Sequence, residues 1–265
     1  MKKTFPSRIS QREIISRRKK RRFFLLSSFI FLIIFSFLYF FFFSNFFAIR
    51  EINLEGIHFS NKFEVQNTIH SFLNEKFLSI FPQNIFLLTK KKFLFLLEKF
   101  PAFIDFQIKK DFLKRKITFF FKERSIEGIY CQKHSQEKEC FYFDSFGLLF
   151  LEAPQASGFL IFVLEKESPP YLTIGQKIFP FEDFSQFLEI KKISEREEAI
   201  NFASLKEKEI VFELISGRKI FLNTSDFLQT RIVLENFLEK FSLKDLEYLD
   251  LRYLPHLYFK LFSNH

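Results

Sequence analysis

The two cysteines, Cys131 and Cys140, are the side chains best suited to covalent chemistry. They flank the polar octapeptide Gln132-Lys133-His134-Ser135-Gln136-Glu137-Lys138-Glu139, which sits between Gly128-Ile129-Tyr130 and Phe141-Tyr142-Phe143. This is hairpin spacing, able to set the two thiols opposite each other. Three chemistries are open: a disulfide, which persists in an oxidising compartment; free thiols; or, with His134, a Cys-x2-His-x5-Cys metal set. The last lacks an evident fourth ligand, and structural zinc sites use four. Asp250 and Arg252 are the next pair. They alternate with Leu251 and so share a face of one strand, where a structural ion pair or a solvated edge is simpler than an active site. His58, His70, His134, His256 and His265 are scattered, and His70, just before Phe72 and Leu73, suits a structural role. There is no Gly-x-Ser-x-Gly, P-loop, His-Glu-x-x-His or glycine-rich dinucleotide turn. The expectation is no catalysis, no cofactor, no metal and no small-molecule substrate.

The element that positions everything else is Phe23 to Phe43, FFLLSSFIFLIIFSFLYFFFF. It carries no charge, and its only polar side-chain atoms are the hydroxyls of Ser27, Ser28, Ser36 and Tyr39. As a helix it would be roughly 31 Å long, matching the ~30 Å hydrocarbon core of a bilayer. The chain's net charge of +9 is all in residues 1–22, which hold ten Lys/Arg and the single acid Glu13. The rest is neutral, which removes the nucleic-acid reading of a basic protein. A basic flank stays cytoplasmic, so the N-terminus is expected inside and residues 44–265 outside. The apolar run exceeds the ~7–15 residues of a signal-peptide core and leads into aromatics instead of a small-x-small site, so it reads as an uncleaved anchor. Arg17 to Arg22 can meet anionic headgroups; no aromatic is interleaved there for base stacking. The 46 phenylalanines read as compositional drift, without a function of their own.

Beyond the anchor, Ile49 to Leu54 reads as a strand ended by Gly56. Val65, Ile69, Phe72 and Leu73 mark one face of a helix. A second helix is predicted from an N-cap at Thr89 through Phe93, Leu97 and Phe100, stopped by Pro101. Ile104, Phe106, Ile108 and then Ile117, Phe119, Phe121 alternate as two strands around a basic turn, Lys109, Lys110, Lys114, Arg115 and Lys116. That cluster reads first as a solvated turn, with phosphate or glycan contact as the minor reading. The order strand-helix-helix-strand-strand buries a modest core. Further on come a turn at Asp144-Ser145-Phe146-Gly147, the apolar run 148–150, a loop over 153–158 and a strand over 159–164. A segment begins at Ile174-Gly175, and Phe184, Phe187 and Leu188 suggest a helix. A strand-turn-strand unit covers 210–222, and Asp226 caps a helix bearing Leu234, Phe237, Leu238 and Phe241. Two last strands are expected at 246–253 and 257–262.

This layout resembles the FtsQ/DivIB family of bacterial cell-division proteins. The matching stretches are Ile52-Asn53-Leu54-Glu55-Gly56, Leu97-Glu98-Lys99-Phe100-Pro101, Glu123-Arg124, the Asp144/Gly147 step, and Asp250-Leu251-Arg252-Tyr253 near the C-terminus. The chain departs from the family at Phe112-Leu113-Lys114-Arg115, where an aromatic-proline pair is common. The resemblance implies an α+β fold: a basic cytoplasmic tail (1–22), a transmembrane helix (23–43), a POTRA module of β-α-α-β-β order (47–124), and a mixed β-rich domain with flanking helices (125–265). It implies a single-pass scaffold of the cell membrane and division septum, with FtsB/DivIC-like and FtsL-like single-span partners. A different POTRA-bearing envelope-assembly or secretion protein is the alternative; the Asp250-Leu251-Arg252-Tyr253 strand argues against it.

A terminal strand with no successor is expected at a sheet edge, and Lys260 is the only charge after Pro255 to protect it. The resulting candidate partner surface is Tyr248, Leu249, Asp250, Leu251, Arg252 and Tyr253, together with Leu257, Tyr258, Phe259, Lys260, Leu261 and Phe262. Tyr258 and Phe259 are its expected anchors, and strand addition its expected mode.

Overall fold

A run apolar on all sides can fold as a helix without choosing a face, and in a computed structural model α1 spans Gln11–Phe43. The structure describes residues 11–43, 45–74, 84–134, 137–156, 160–166 and 169–262. Residues 1–10 of the basic tail, Ser135 and Gln136 of the octapeptide, the loop end and strand start at 157–159, and the last three residues lie outside the described ones. Every side chain from Phe23 to Phe40 is exposed. Phe23–Phe41 is long and apolar enough to cross a membrane, and uncovered apolar surface of that extent is disfavoured in water.

The chain divides into two compact units, Met1–Glu55 with Lys62–Phe93 and Gln107–Phe120, and Gly56–Asn61 with Leu94–Phe106 and Phe121–His265. A three-stranded sheet of order β1-β3-β2 is built from β1 (Glu51–Glu55), β2 (Phe103–Asp111) and β3 (Lys116–Glu123). β1 runs parallel to β3, with Ile52 opposite Ile117 and Leu54 opposite Phe119. Helix α2 (Lys62–Asn74) buries Val65 and Ile69, one turn apart, and carries Glu64 in its first turn, where a negative charge suits the helix dipole.

The second predicted helix takes a different form. Lys90–Phe93 makes a 3-10 turn and α3 is only Phe95–Lys99. Three consecutive lysines at the start oppose the positive end of a helix dipole, and Thr89 contributes its carbonyl to Lys92 N–H at 3.1 Å. In β2 the inward residues are Phe103 and Phe106, while Ile104 is exposed. The Phe103 ring packs at 4.4 Å on Phe121, filling the place the alternation assigned to Ile104.

Two short stretches of the small module have clear local mechanics. Gly56 has φ +79°, and a Cβ there would stand 2.1 Å from the Phe121 carbonyl oxygen, so only glycine fits. Glu123 accepts the backbone N–H groups of His58 (2.7 Å), Phe59 (3.1 Å) and Ser60 (2.9 Å). Burial pushes its carboxyl up, but these hydrogen bonds outweigh it and hold the carboxyl below its ordinary value.

The large sheet has nine strands in the order β12-β11-β10-β9-β8-β7-β4-β5-β6. They are β4 (Gly128–His134), β5 (Glu137–Phe143), β6 (Leu149–Glu152), β7 (Val163–Lys166), β8 (Ile200–Lys206), β9 (Glu209–Leu214), β10 (Lys219–Asn223), β11 (Leu246–Leu251) and β12 (Tyr258–Leu261). Two of its parallel pairs, β7 with β8 and β10 with β11, need crossovers. Helices α4 (Phe181–Glu197) and α5 (Phe227–Leu238) supply them. Both helices pack on the same main core, formed with Tyr130, Leu164, Phe212, Leu222, Leu249 and Leu251 among others. Asp226 caps α5, accepting Gln229 N–H at 2.9 Å. α4 has Glu182 and Asp183 in its first turn and Arg196 in its last, matching the dipole at both ends.

Strand β8 has no counterpart in the sequence reading, and Ile174-Gly175 is a turn. Arg124 ties the turn after β5 to the chain before β2: it donates to Asp144 Oδ2 at 2.6 Å and to the Pro101 carbonyl at 2.7 Å. Asp144 Oδ1 in turn accepts Phe146 and Leu148 N–H, and Gly147 adopts φ +71° against the Phe184 ring.

Candidate functional site

The two edges of the nine-stranded sheet differ. β6 is covered, because Leu149 N–H donates to the Gln176 carbonyl at 2.9 Å and its own carbonyl accepts Gly175 N–H at 2.7 Å. At the other edge no described strand lies beyond β12, all four of whose residues are exposed. An uncovered edge of this kind presents backbone N–H and C=O groups to any strand that arrives.

The register sorts the candidate partner residues by face. Leu249 lies opposite Phe259 and Leu246 opposite Leu261, so Phe259 and Leu261 stand on the helix side. Tyr248 faces Lys260 and Asp250 faces Tyr258 on the opposite side. Leu249 (1 % exposed) and Leu251 (0 %) belong to the core and Asp250 is buried, so these three are withdrawn from the contact surface. The reason is position: β11 is flanked by β10 and β12, whereas β12 has no described strand on its outer side. Tyr248 is half-buried against Phe221. Arg252 and Tyr253 lie past the end of β11, in a turn, with Tyr253 exposed and 6.2 Å from the Tyr258 ring. Accessible surface is left on Tyr253, Tyr258, Phe259, Leu261 and Phe262, with Lys260 held at 2.6 Å by Glu247.

Asp250 and Arg252 form a two-bond ion pair, Nε to Oδ1 at 2.9 Å and Nη2 to Oδ2 at 2.7 Å. Glu209 adds a third bond at 2.7 Å, the guanidinium lies 4.8 Å over Phe221, and Asn223 donates to the Arg252 carbonyl. Burial pushes the Asp250 carboxyl up, but the bonds from Arg252 prevail and keep it below its ordinary value. Arg252 is pushed upward by Asp250 and then Glu209. The set locks the end of β11. A surface depression of about 570 Å³ borders it, lined by Lys206, Lys208, Glu209, Asn223, Arg252 and Tyr253.

The sequence reading missed the residues that complete the edge. Phe237 and Phe241 each place a ring 5.3 Å from Phe259. With Val233 and Leu257 they line an apolar groove of about 310 Å³ between α5 and β12. Their helical spacing and the strand at 257–262 are both legible in the sequence; that the two pack together is not. Arg218 holds the other end of β12, donating to the carbonyls of Leu246 (3.0 Å) and Lys244 (2.8 Å) with the Phe262 ring 5.1 Å away.

Cys131 and Cys140 are directly opposite in the β4–β5 ladder and are joined, with an S–S distance of 2.07 Å. Both are buried with Ile129 and Val163 in a small cluster of their own. Neither sulfur is available as a thiolate ligand, and among the described residues no group of three or more His, Cys, Asp or Glu could hold a metal. No protein-family model and no curated protein matches the chain.

Proposed function

We propose that this protein is a bitopic scaffold of the bacterial division machinery, of FtsQ/DivIB type, that recruits FtsB/DivIC-like and FtsL-like partners at the septal membrane. The observation that carries the reading is β12: an edge strand with no described strand beyond it, lined with exposed aromatic and aliphatic side chains. Strand addition along β12 would satisfy its outer backbone groups, with Tyr258 on one face and Phe259 and Leu261 on the other supplying specificity. The small module supports a POTRA assignment through its element order and its β1-β3-β2 sheet. Arg124–Asp144 and Asp250–Arg252 give family-like motifs a shared structural purpose. No chemical step is assigned, and the protein works by contact.

The test is a pull-down of a FtsB/DivIC-like partner by the full chain, by a chain lacking residues 257–265, and by the surface variants Tyr258→Ala and Leu261→Asp. Because Tyr258 and Leu261 are half-exposed, the point variants should keep the wild-type unfolding midpoint. Loss of an anchor weakens such an interface by about 2 kcal/mol, on the order of thirtyfold in Kd. Undiminished binding by a folded truncation would end the proposal.

A further inference from the structure

The tip of the β2–β3 hairpin, where the chain departs from the family pattern, has features a solvated turn does not need. Leu113 is 96 % exposed and Phe112 beside it is also exposed, where small polar residues are the ordinary choice. Lys109, Lys110, Lys114 and Arg115 surround the pair. The one acid, Asp111, accepts Lys114 N–H at 3.0 Å. Arg115 adopts φ +55°, a conformation that favours glycine, and its guanidinium lies over the Phe46 ring at 5.9 Å.

Position decides what this tip meets. The Phe112 ring stacks on Phe86 at 4.7 Å, and Phe86 packs on Phe41 at 5.6 Å. Phe41 lies at the C-terminal end of the apolar stretch, two residues before Phe43. Asn84 secures the same junction, donating to the Phe41 carbonyl at 2.7 Å. Two ring-to-ring steps of 5.6 Å and 4.7 Å keep the tip within reach of the headgroup layer, roughly 5–8 Å deep on each side of the hydrocarbon. The tip therefore stands at interfacial depth once α1 is in a bilayer.

We propose that the hairpin tip is a second membrane contact, in which Phe112 and Leu113 enter the interface and the lysines engage the phosphates of anionic lipid. The inference rests on α1 crossing the membrane. Apolar side chains ringed by cations are the pattern by which peripheral elements bind anionic bilayers. The Lys110 ammonium is pushed below its usual value by burial and then by repulsion from Lys92; an anionic headgroup would offset the second of these. Docking would restrict the module next to the anchor, so that it does not swing freely at the end of α1.

The chain has no tryptophan, so one introduced indole reports its own depth. Leu113→Trp, Leu160→Trp (94 % exposed at the native leucine) and Phe35→Trp in α1 are each reconstituted as full chains. The vesicles are phosphatidylcholine, or an equal mixture with phosphatidylglycerol, with brominated phosphatidylcholine as quencher. The expected result is blue-shifted, quenched emission from L113W, strengthened by phosphatidylglycerol, and water-like emission from L160W. Adding K109Q and K114Q should weaken docking on the order of thirtyfold in the anionic vesicles. Water-like emission from L113W while F35W is quenched overturns the inference and leaves the anchor intact. If F35W is unquenched as well, the anchor reading falls and takes the inference with it. Insensitivity to the lysine substitutions also overturns the proposal.

Discussion

At Arg252 one guanidinium answers two carboxylates, Asp250 and Glu209, while covering an aromatic ring. Removing it leaves the largely buried Asp250 uncompensated, which costs about 2 kcal/mol once the partial exposure of the pair is allowed for. Arg252→Lys should recover only part, since an ammonium cannot make the two-bond fork. The pH dependence has a definite sign. The native Asp250 carboxyl titrates below its ordinary value, so the unfolded chain binds the proton more readily. The stability contributed is present above about pH 4 and lost as pH falls through the native value. Urea midpoints measured from neutral pH into acid should fall less steeply in Asp250→Asn than in the wild type; parallel curves would refute the assignment.

The β4–β5 hairpin is closed by a bond between residues 9 apart in sequence. In the chain-entropy account a loop of that length is worth about 2–3 kcal/mol, mainly through the unfolded state. Cys131→Ala/Cys140→Ala, or reduction, should lower stability by that amount while leaving the β12 edge intact, because β4 and β12 lie far apart in strand order. Urea unfolding with and without reductant measures it, and equal midpoints would deny the bond its role. The edge strands show a related contrast. β6 is closed by chain from its own module, whereas β12 relies on half-exposed side chains and one lysine, the condition of a strand available for pairing.

For the whole molecule, the decisive asymmetry is one apolar helix with its charge on a single side. The expected topology has residues 1–22 cytoplasmic and 44–265 outside. Protease added to spheroplasts should digest the C-terminal region and spare the tail; the reverse pattern would invert the assignment. A fluorescent fusion that failed to collect at division sites would count against the scaffold reading in the same cells.

The apolar stretch Phe23–Phe43, the order of elements through Glu123, the capping Asp226 and the facing cysteines were all legible in the residues, because each depends on local spacing and polarity. Between Ala153 and Ala203 the helix at Phe184, Phe187 and Leu188 was legible, but β8 was not: it has little alternation, and its place between β7 and β9 follows from two partners distant in sequence. The candidate edge was half legible. A last strand with few charges announces itself, but which of its neighbours stay exposed depends on the pairing. Leu249, Asp250 and Leu251 look like Tyr258, Phe259 and Leu261 as strings of residues; β11 is enclosed on both sides and β12 on one. Burial of a strand is a property of the sheet around it, and only the tertiary structure decides that.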